Sequence, residues 1–239
     1  MKIDVHVTPL GLLAGDLAGR GVVVVDVLRA TTTVVTALAN GAKAVIPAAT
    51  SEEAVRLASN LEKDGVVLAG ERRSVKIEGF ALGNSPREMT AAAVAGKTIV
   101  LATTNGTPAL VAAQGGDPVL VGAPVNFKAL AERARAILAQ RGDLVIVCAG
   151  REKQFALEDA YTAGRLIKAS RKGIRKLALN DAARASVALI DEFAGWEEAL
   201  EGSEAARQLA EADLGEDVAF AARVDRFGVV PVYADRRIT

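Results

Sequence analysis

Cysteine and histidine are all but missing from this chain: its 239 residues carry one of each, Cys148 and His6. A lone cysteine cannot close an intramolecular disulfide, and a lone histidine excludes every metal site that needs two or more imidazoles. Zincins, binuclear His-rich phosphoesterases and Cys-rich zinc modules are therefore ruled out. Proline is scarce, at 7 residues, so Pro-rich linkers and disordered tracts are excluded with it. Net charge is absent, 29 basic residues balancing 29 acidic ones. That argues against a nucleic-acid partner or an anionic membrane surface, both of which need a basic face. No apolar run reaches the roughly 18 to 20 residues that cross a bilayer. The opening Met1–Thr8 segment alternates like a strand and lacks the apolar stretch of a signal peptide. The expectation is a cytoplasmic protein. What the chain does have is apolar material, 51% of its residues, enough to build a core.

That material is arranged in short β-branched runs separated by helical segments. Strands are expected at Ile3–Val7, Val22–Val27, Ala44–Ile46, Val66–Leu68, Thr98–Ala102, Val119–Val121, Leu144–Cys148 and Val229–Tyr233. Most are apolar throughout, as strands covered on both faces are. Thr50 and Glu53 have capping-box spacing, Ser85-Pro86 and Thr107-Pro108 have a cap followed by Pro, and Asn126 is placed to cap the run Phe127–Gln140. After about Lys176 the pattern turns helical, with Asp181–Phe193, Ser203–Ala212 and Glu216–Val224. The reading is a single α/β domain over residues 1–239, three-layered, with a mostly parallel sheet, helices on both faces and a helical C-terminal insertion at 176–224.

Polar stretches follow directly on several strands: 26–33 (DVLRATTT), 70–72 (GER), 103–107 (TTNGT) and 148–151 (CAGR). In an open parallel sheet these gather at the carboxyl edge, where ligands bind. Thr31, Thr32 and Thr33, then Thr104, Asn105, Gly106 and Thr107, then Asn84 and Ser85 offer hydroxyl and amide donors at helix starts. Arg29, Arg72 and Arg151 add full charges. The set predicts a small, multiply anionic ligand. Carboxylates stand among the donors at Asp26, Glu71, Glu158 and Asp159, a pattern that suits an oxygen-ligated divalent cation, Mg2+, bridging to phosphate oxygens. The alternatives are ion pairs of Asp26 with Arg29 and of Glu71 with Arg72 or Arg73. Glu158 and Asp159 sit about 100° apart on one helix, so one of them is read as only a helix-face charge. No Walker loop, Gly-x-Gly-x-x-Gly turn, Asp-x-Asp phosphatase motif or Cys-x5-Arg loop is present. Cys148, ending an apolar strand, and Trp196 are expected to pack, and His6 is read as a satisfied or exposed histidine.

Taken in order, these stretches, together with 79–86 (GFALGNSP), 157–159 (LED) followed by Ala163-Gly164, and 230–233 (VPVY), resemble the 2-phosphosulfolactate phosphatases along nearly the whole chain. The resemblance implies a distinct α/β fold and Mg2+-dependent hydrolysis of 2-phosphosulfolactate to sulfolactate and phosphate. It implies catalytic roles for Asp26, Arg29, Glu71 and Asp159, metal contact by Asp26, Glu71, Glu158 and Asp159, and a homodimer. In the family pattern an acid usually stands where this chain has Ala81, and a Gly where it has Arg73. The rival expectation, resting on Ala81, is a non-catalytic binding module for a phosphorylated or sulfonated metabolite.

Overall fold

The computed structural model describes residues 1–61 and 65–239. Among the described residues the strands are β1 (Lys2–His6), β2 (Gly21–Val25), β3 (Ala44–Ala48), β4 (Val66–Arg72), β5 (Val75–Lys76), β6 (Thr98–Ala102), β7 (Val119–Gly122), β8 (Asp143–Cys148), β9 (Ala178–Leu179), β10 (Val232–Ala234) and β11 (Arg237–Ile238). They form one sheet in the order β5-β4-β6-β3-β11-β10-β7-β2-β8-β1-β9. β4, β6 and β3 pair in parallel, as do β7, β2, β8, β1 and β9. Between the two parallel halves lies the antiparallel hairpin β10–β11, which pairs with β7 on one side and β3 on the other. The last residues of the chain thus close the sheet.

The expected strands are present within a residue or two, except β4, which runs four residues past Leu68 to Arg72, and the last. The last runs over Val232–Ala234 and leaves Val229 exposed outside it. The short strands β5, β9 and β11 were not anticipated, because two residues carry too little pattern to register.

Alternation along each strand divides the apolar residues between two faces. Val22, Val24, Val145 and Val147 share one core with Val45, Ile99 and Leu101 from the other half. Val34 and Ala37 of helix Ala30–Ala39 and Ala109 and Leu110 of helix Gly106–Ala112 complete that core. The opposite face of β1, β2 and β8 is covered by helix Phe127–Arg141, through Leu130, Ala134, Ile137 and Leu138, and by helix Leu157–Ser170. Thr50 caps Ser51–Ser59 as its spacing predicts, its side chain accepting from the Glu53 amide. Asn126 does not cap the helix that follows it: its Oδ1 accepts from the Ala123 amide one turn earlier. The helix at Thr107-Pro108 begins sooner, at Gly106, and the Thr107 amide is taken by Thr103 Oγ1. Ser85-Pro86 opens only a 3-10 turn, Pro86–Glu88.

Helices Asp181–Ala188, Trp196–Glu201, Glu204–Glu211 and Gly215–Ala221 pack onto the layer formed by Leu157–Ser170. Trp196 is edge-on to Phe127 and Tyr161, with ring centroids 5.0 and 5.3 Å away, and the Arg165 guanidinium stacks on it at 4.9 Å. This aromatic joint fixes where the C-terminal helices lie. Cys148 is fully buried, as expected. Gly164 permits Leu157–Ser170 to touch Asp181–Ala188, since a Cβ there would stand 2.0 Å from the Ser186 carbonyl oxygen. Gly164→Ala is therefore expected to destabilise the protein by about 2 kcal/mol or more, lowering the melting temperature by roughly 5 °C, as a thermal melt followed by circular dichroism will show.

Candidate functional site

The ends of β2, β4, β6 and β8 converge although β4 and β6 belong to one half-sheet and β2 and β8 to the other. They enclose a cavity lined by Asp26, Leu28 and Arg29 from one strand end, Glu71, Arg73 and Ser74 from the next, then Asn84, Thr103–Asn105, Arg151, Glu152 and Leu209. Gly106 makes the convergence possible. A Cβ there would stand 2.3 Å from the Ala30 Cβ and 2.6 Å from Asp26 Oδ2, so the β6 loop lies directly on the start of helix Ala30–Ala39.

Each side chain is held by short bonds. Asp26 Oδ1 accepts from the Ala30 amide at 3.0 Å. Glu71 ties two loops together: Oε1 accepts from the Thr104 amide at 2.7 Å, and Oε2 accepts from the Ser74 amide and from Thr104 Oγ1. Asp159 accepts from the Val27 amide at 2.9 Å and the Gly150 amide at 3.1 Å, joining the ends of β2 and β8 from below. Arg29 does not pair with Asp26. Its Nη1 donates to Asp217 Oδ2 at 2.8 Å and its Nη2 to the Ser74 carbonyl at 3.2 Å. Asp217, wholly buried in helix Gly215–Ala221, also accepts from Ser85 Oγ at 2.6 Å. The C-terminal helices therefore reach into the site and set the Arg29 fork. Asp217 was missed in the sequence because it sits among ordinary helix-face acids, with no motif around it.

Several predicted residues occupy other roles. The hydroxyls of Thr31, Thr32 and Thr33 donate to the carbonyls of Asp26, Val27 and Asn84, all buried; they shape the turn instead of facing a ligand. Ser85 and Thr107 are likewise spent internally. Arg72 folds away from the cavity, Nη1 donating to the Glu71 carbonyl and Nη2 to that of Ala49, and the next residue, Arg73, lines the cavity in its place. A strand alternates sides, so a one-residue shift decides which arginine faces the site. Ala81 lies outside the cavity, on a separate surface with Ala58, Val66–Leu68 and Gly79. Asp26, Arg29, Glu71, Asn84, Thr104, Asn105 and Arg151 do line it.

Metal contact divides the same way. Among the described residues no group of three or more His, Cys, Asp or Glu side chains gathers into a metal cage. Of the four carboxylates expected to hold a metal, Glu158 and Asp159 are buried and do not line the cavity. Asp26 and Glu71 remain on its wall, joined by Asn84 Oδ1, a buried acceptor with no hydrogen-bond partner. Two carboxylates and an amide oxygen fit Mg2+, which takes few protein ligands and completes its shell with water and substrate oxygens.

Electrostatics in this floor are set by burial. Loss of water, reinforced by Glu71 and Glu158, pushes Asp26 up to about 7, against the opposing pull of the Ala30 amide and Arg29. Burial likewise raises Asp159, with Glu158 and Asp26 adding to it, and raises Glu158 against the pull of Arg151 and Ser203. The same dry surroundings push the Cys148 thiol well up.

The family model described as 2-phosphosulpholactate phosphatase matches residues 8–236. The chain belongs to that family. It is 42% identical over 217 residues to a "Probable 2-phosphosulfolactate phosphatase" of Caldanaerobacter subterraneus subsp. tengcongensis, covering 90% of this chain and 88% of the relative. A protein of the same description from Clostridium acetobutylicum is 34% identical across the full length of both chains. Another, from Thermotoga petrophila, is 39% identical over 213 residues, 89% of this chain and 88% of its own. The family is one of phosphoric monoester hydrolases, and its members match the chain on both sides of the cavity. No helix among the described residues is long and apolar enough to cross a membrane.

Raised acids make stability fall as pH rises. Between the unfolded Asp value of about 4 and the folded value of about 7 for Asp26, the native chain keeps a proton that the unfolded chain has released. Folding is thus favoured at the acidic end of that window and loses support toward the basic end. The metal-free protein is expected to melt roughly 5 °C or more lower at pH 8 than at pH 5.5, and Asp26→Asn is expected to reduce that difference. MgCl2 should raise the melting temperature more at pH 8 than at pH 5.5; equal shifts at both would contradict the ligand assignment.

Proposed function

We propose that this protein hydrolyses the phosphate monoester of 2-phosphosulfolactate to sulfolactate and inorganic phosphate, with Mg2+ as cofactor, in the cytoplasm and as a homodimer. The observation that supports it most is the pairing, in one cavity, of a guanidinium fixed by a buried carboxylate with an acid raised to about 7. The ligand is small and carries phosphate, carboxylate and sulfonate on a three-carbon frame. A protein of zero net charge holds such a molecule only with a local concentration of donors, which Arg29, Arg73, Arg151 and the Thr104–Asn105 segment supply.

Arg29, oriented by Asp217, binds the phosphoryl oxygens and stabilises the charge that builds on them as the ester bond opens. Asp26 is the general base. Among the described residues no donor bonds its Oδ2, the oxygen that faces Gly106, so that oxygen is free to accept a proton. It takes a proton from the attacking water as the new P–O bond forms. The P–O bond to the sulfolactate carbon skeleton breaks on the opposite side of phosphorus, the departing alkoxide oxygen takes a proton from water, and Asp26 returns its proton to solvent. Asp26, Glu71 and Asn84 Oδ1 would hold Mg2+, which when bound supplies charge neutralisation on the phosphoryl oxygens. Glu71 and Asp159 act through the loops they fasten. The binding-module alternative loses its ground, because Ala81 lies outside the cavity.

Phosphate release from 2-phosphosulfolactate is the test. EDTA is expected to abolish it and Mg2+ to restore it. Arg29→Lys keeps a charge but cannot bridge Asp217 and substrate with one planar fork, so turnover should fall about a hundredfold with little change in melting temperature. Binding of the substrate without any release of phosphate would refute the proposal.

A further inference from the structure

Two hairpin turns stand at the rim of the cavity, and neither contains glycine. Arg73 and Ser74 join β4 to β5 with φ of 51° and 69°. Glu152 and Lys153 join the bridged residues Arg151 and Gln154 with φ of 48° and 66°. Two successive left-handed residues are the geometry of a tight hairpin, normally left to Asn and Gly because a side chain there is strained. The chain fastens both turns to neighbouring residues of one loop. Thr104 Oγ1 accepts from the Arg73 amide at 3.3 Å, and Asn105 Oδ1 accepts from the Glu152 amide at 3.0 Å. A single segment, the end of β6, therefore sets the positions of both turns.

Each turn presents an arginine to the cavity, Arg73 from one and Arg151 from the other. Arg29 is committed to Asp217, but among the described residues neither Arg73 nor Arg151 forms an ion pair or donates a side-chain hydrogen bond. The rim also carries Glu152, which offsets one of the two guanidinium charges.

We propose that Arg73 and Arg151 clamp the part of the substrate that is not transferred, its carboxylate or sulfonate, and that Arg73 is a specificity-determining residue. This rests on the phosphatase reading above and adds an orientation to it: phosphoryl group inward on Arg29, second anion outward between the turns. A purely structural role for Arg73 is opposed by its backbone. Glycine would serve the turn better, so the turn itself does not call for an arginine.

Arg73→Gly relieves the left-handed strain and is expected to fold with an unchanged or higher melting temperature. The measurement is the ratio of kcat/KM for 2-phosphosulfolactate to that for glycerol 2-phosphate, which has the ester but no second anion. The clamp predicts that Arg73→Gly lowers this ratio about tenfold, mainly through KM, that Arg73→Lys restores a good part of it, and that the effect shrinks as salt is added. An unchanged ratio, or a parallel loss in kcat on both substrates, would overturn the proposal. Binding of sulfolactate alone, measured by calorimetry, tests the clamp independently of catalysis. A Kd raised about tenfold in Arg73→Gly supports it even if neither ester is turned over, and an unaltered Kd refutes it even if both are.

Discussion

Three carboxylates, Asp26, Glu158 and Asp159, are buried together at the ends of β2 and β8. Each raises the energy of the others' charged form, and with little water to screen them the repulsion must be met by the protein or by what it binds. The surrounding structure meets part of it. Backbone amides of Val27 and Gly150 satisfy Asp159, that of Ala30 satisfies one oxygen of Asp26, and Arg151 acts on Glu158. What remains unmet is concentrated on Asp26, at the cavity wall. A floor built this way is least comfortable at neutral pH and empty, and most comfortable when a cation or proton is present, which is the condition a metal-assisted hydrolase needs.

The sheet supports this arrangement by joining two parallel halves through the β10–β11 hairpin. Because the halves share one apolar core, the ends of β4 and β6 can meet those of β2 and β8 across a gap that a flat sheet of the same order would not close. The C-terminal helices complete the enclosure: Leu209 lines the cavity, and Asp217 holds Arg29. A buried ion pair of this kind contributes little net stability by itself, yet losing one partner is costly, so the pair acts mainly to specify geometry. The segment that looked in sequence like an added helical layer is thus part of the site.

Much of this was legible in the residues. Long apolar runs gave the main strands, and the polar stretches after β2, β4, β6 and β8 marked the edge where Asp26, Glu71, Asn84, Thr104 and Arg151 meet. The failures have a common physical source. Arg73–Ser74, Glu152–Lys153 and Asp235–Arg236 are left-handed turns without glycine, so the usual hairpin signal was absent, and β5 and β11 went unseen with them. Arg72 and Arg73 are indistinguishable in sequence because facing direction depends on register. Thr31–Thr33 looked like ligand donors because a hydroxyl at a helix start serves a backbone carbonyl or an anion equally well, and sequence does not distinguish the two. Asp217 was unreadable because its partner lies 188 residues away.

The central claim is that the strained Asp26 carboxylate is retained for chemistry and not for folding. Its most direct test is single-turnover phosphate release from 2-phosphosulfolactate at pH 7.5 by Asp26→Asn, a variant that keeps the side-chain shape and the Ala30 contact but cannot accept a proton. The account predicts a loss of at least about a thousandfold, the scale of a general base with charge stabilisation removed alongside it, in a protein that melts no lower than the unaltered chain at that pH. Near-normal release by a folded Asp26→Asn protein would contradict it.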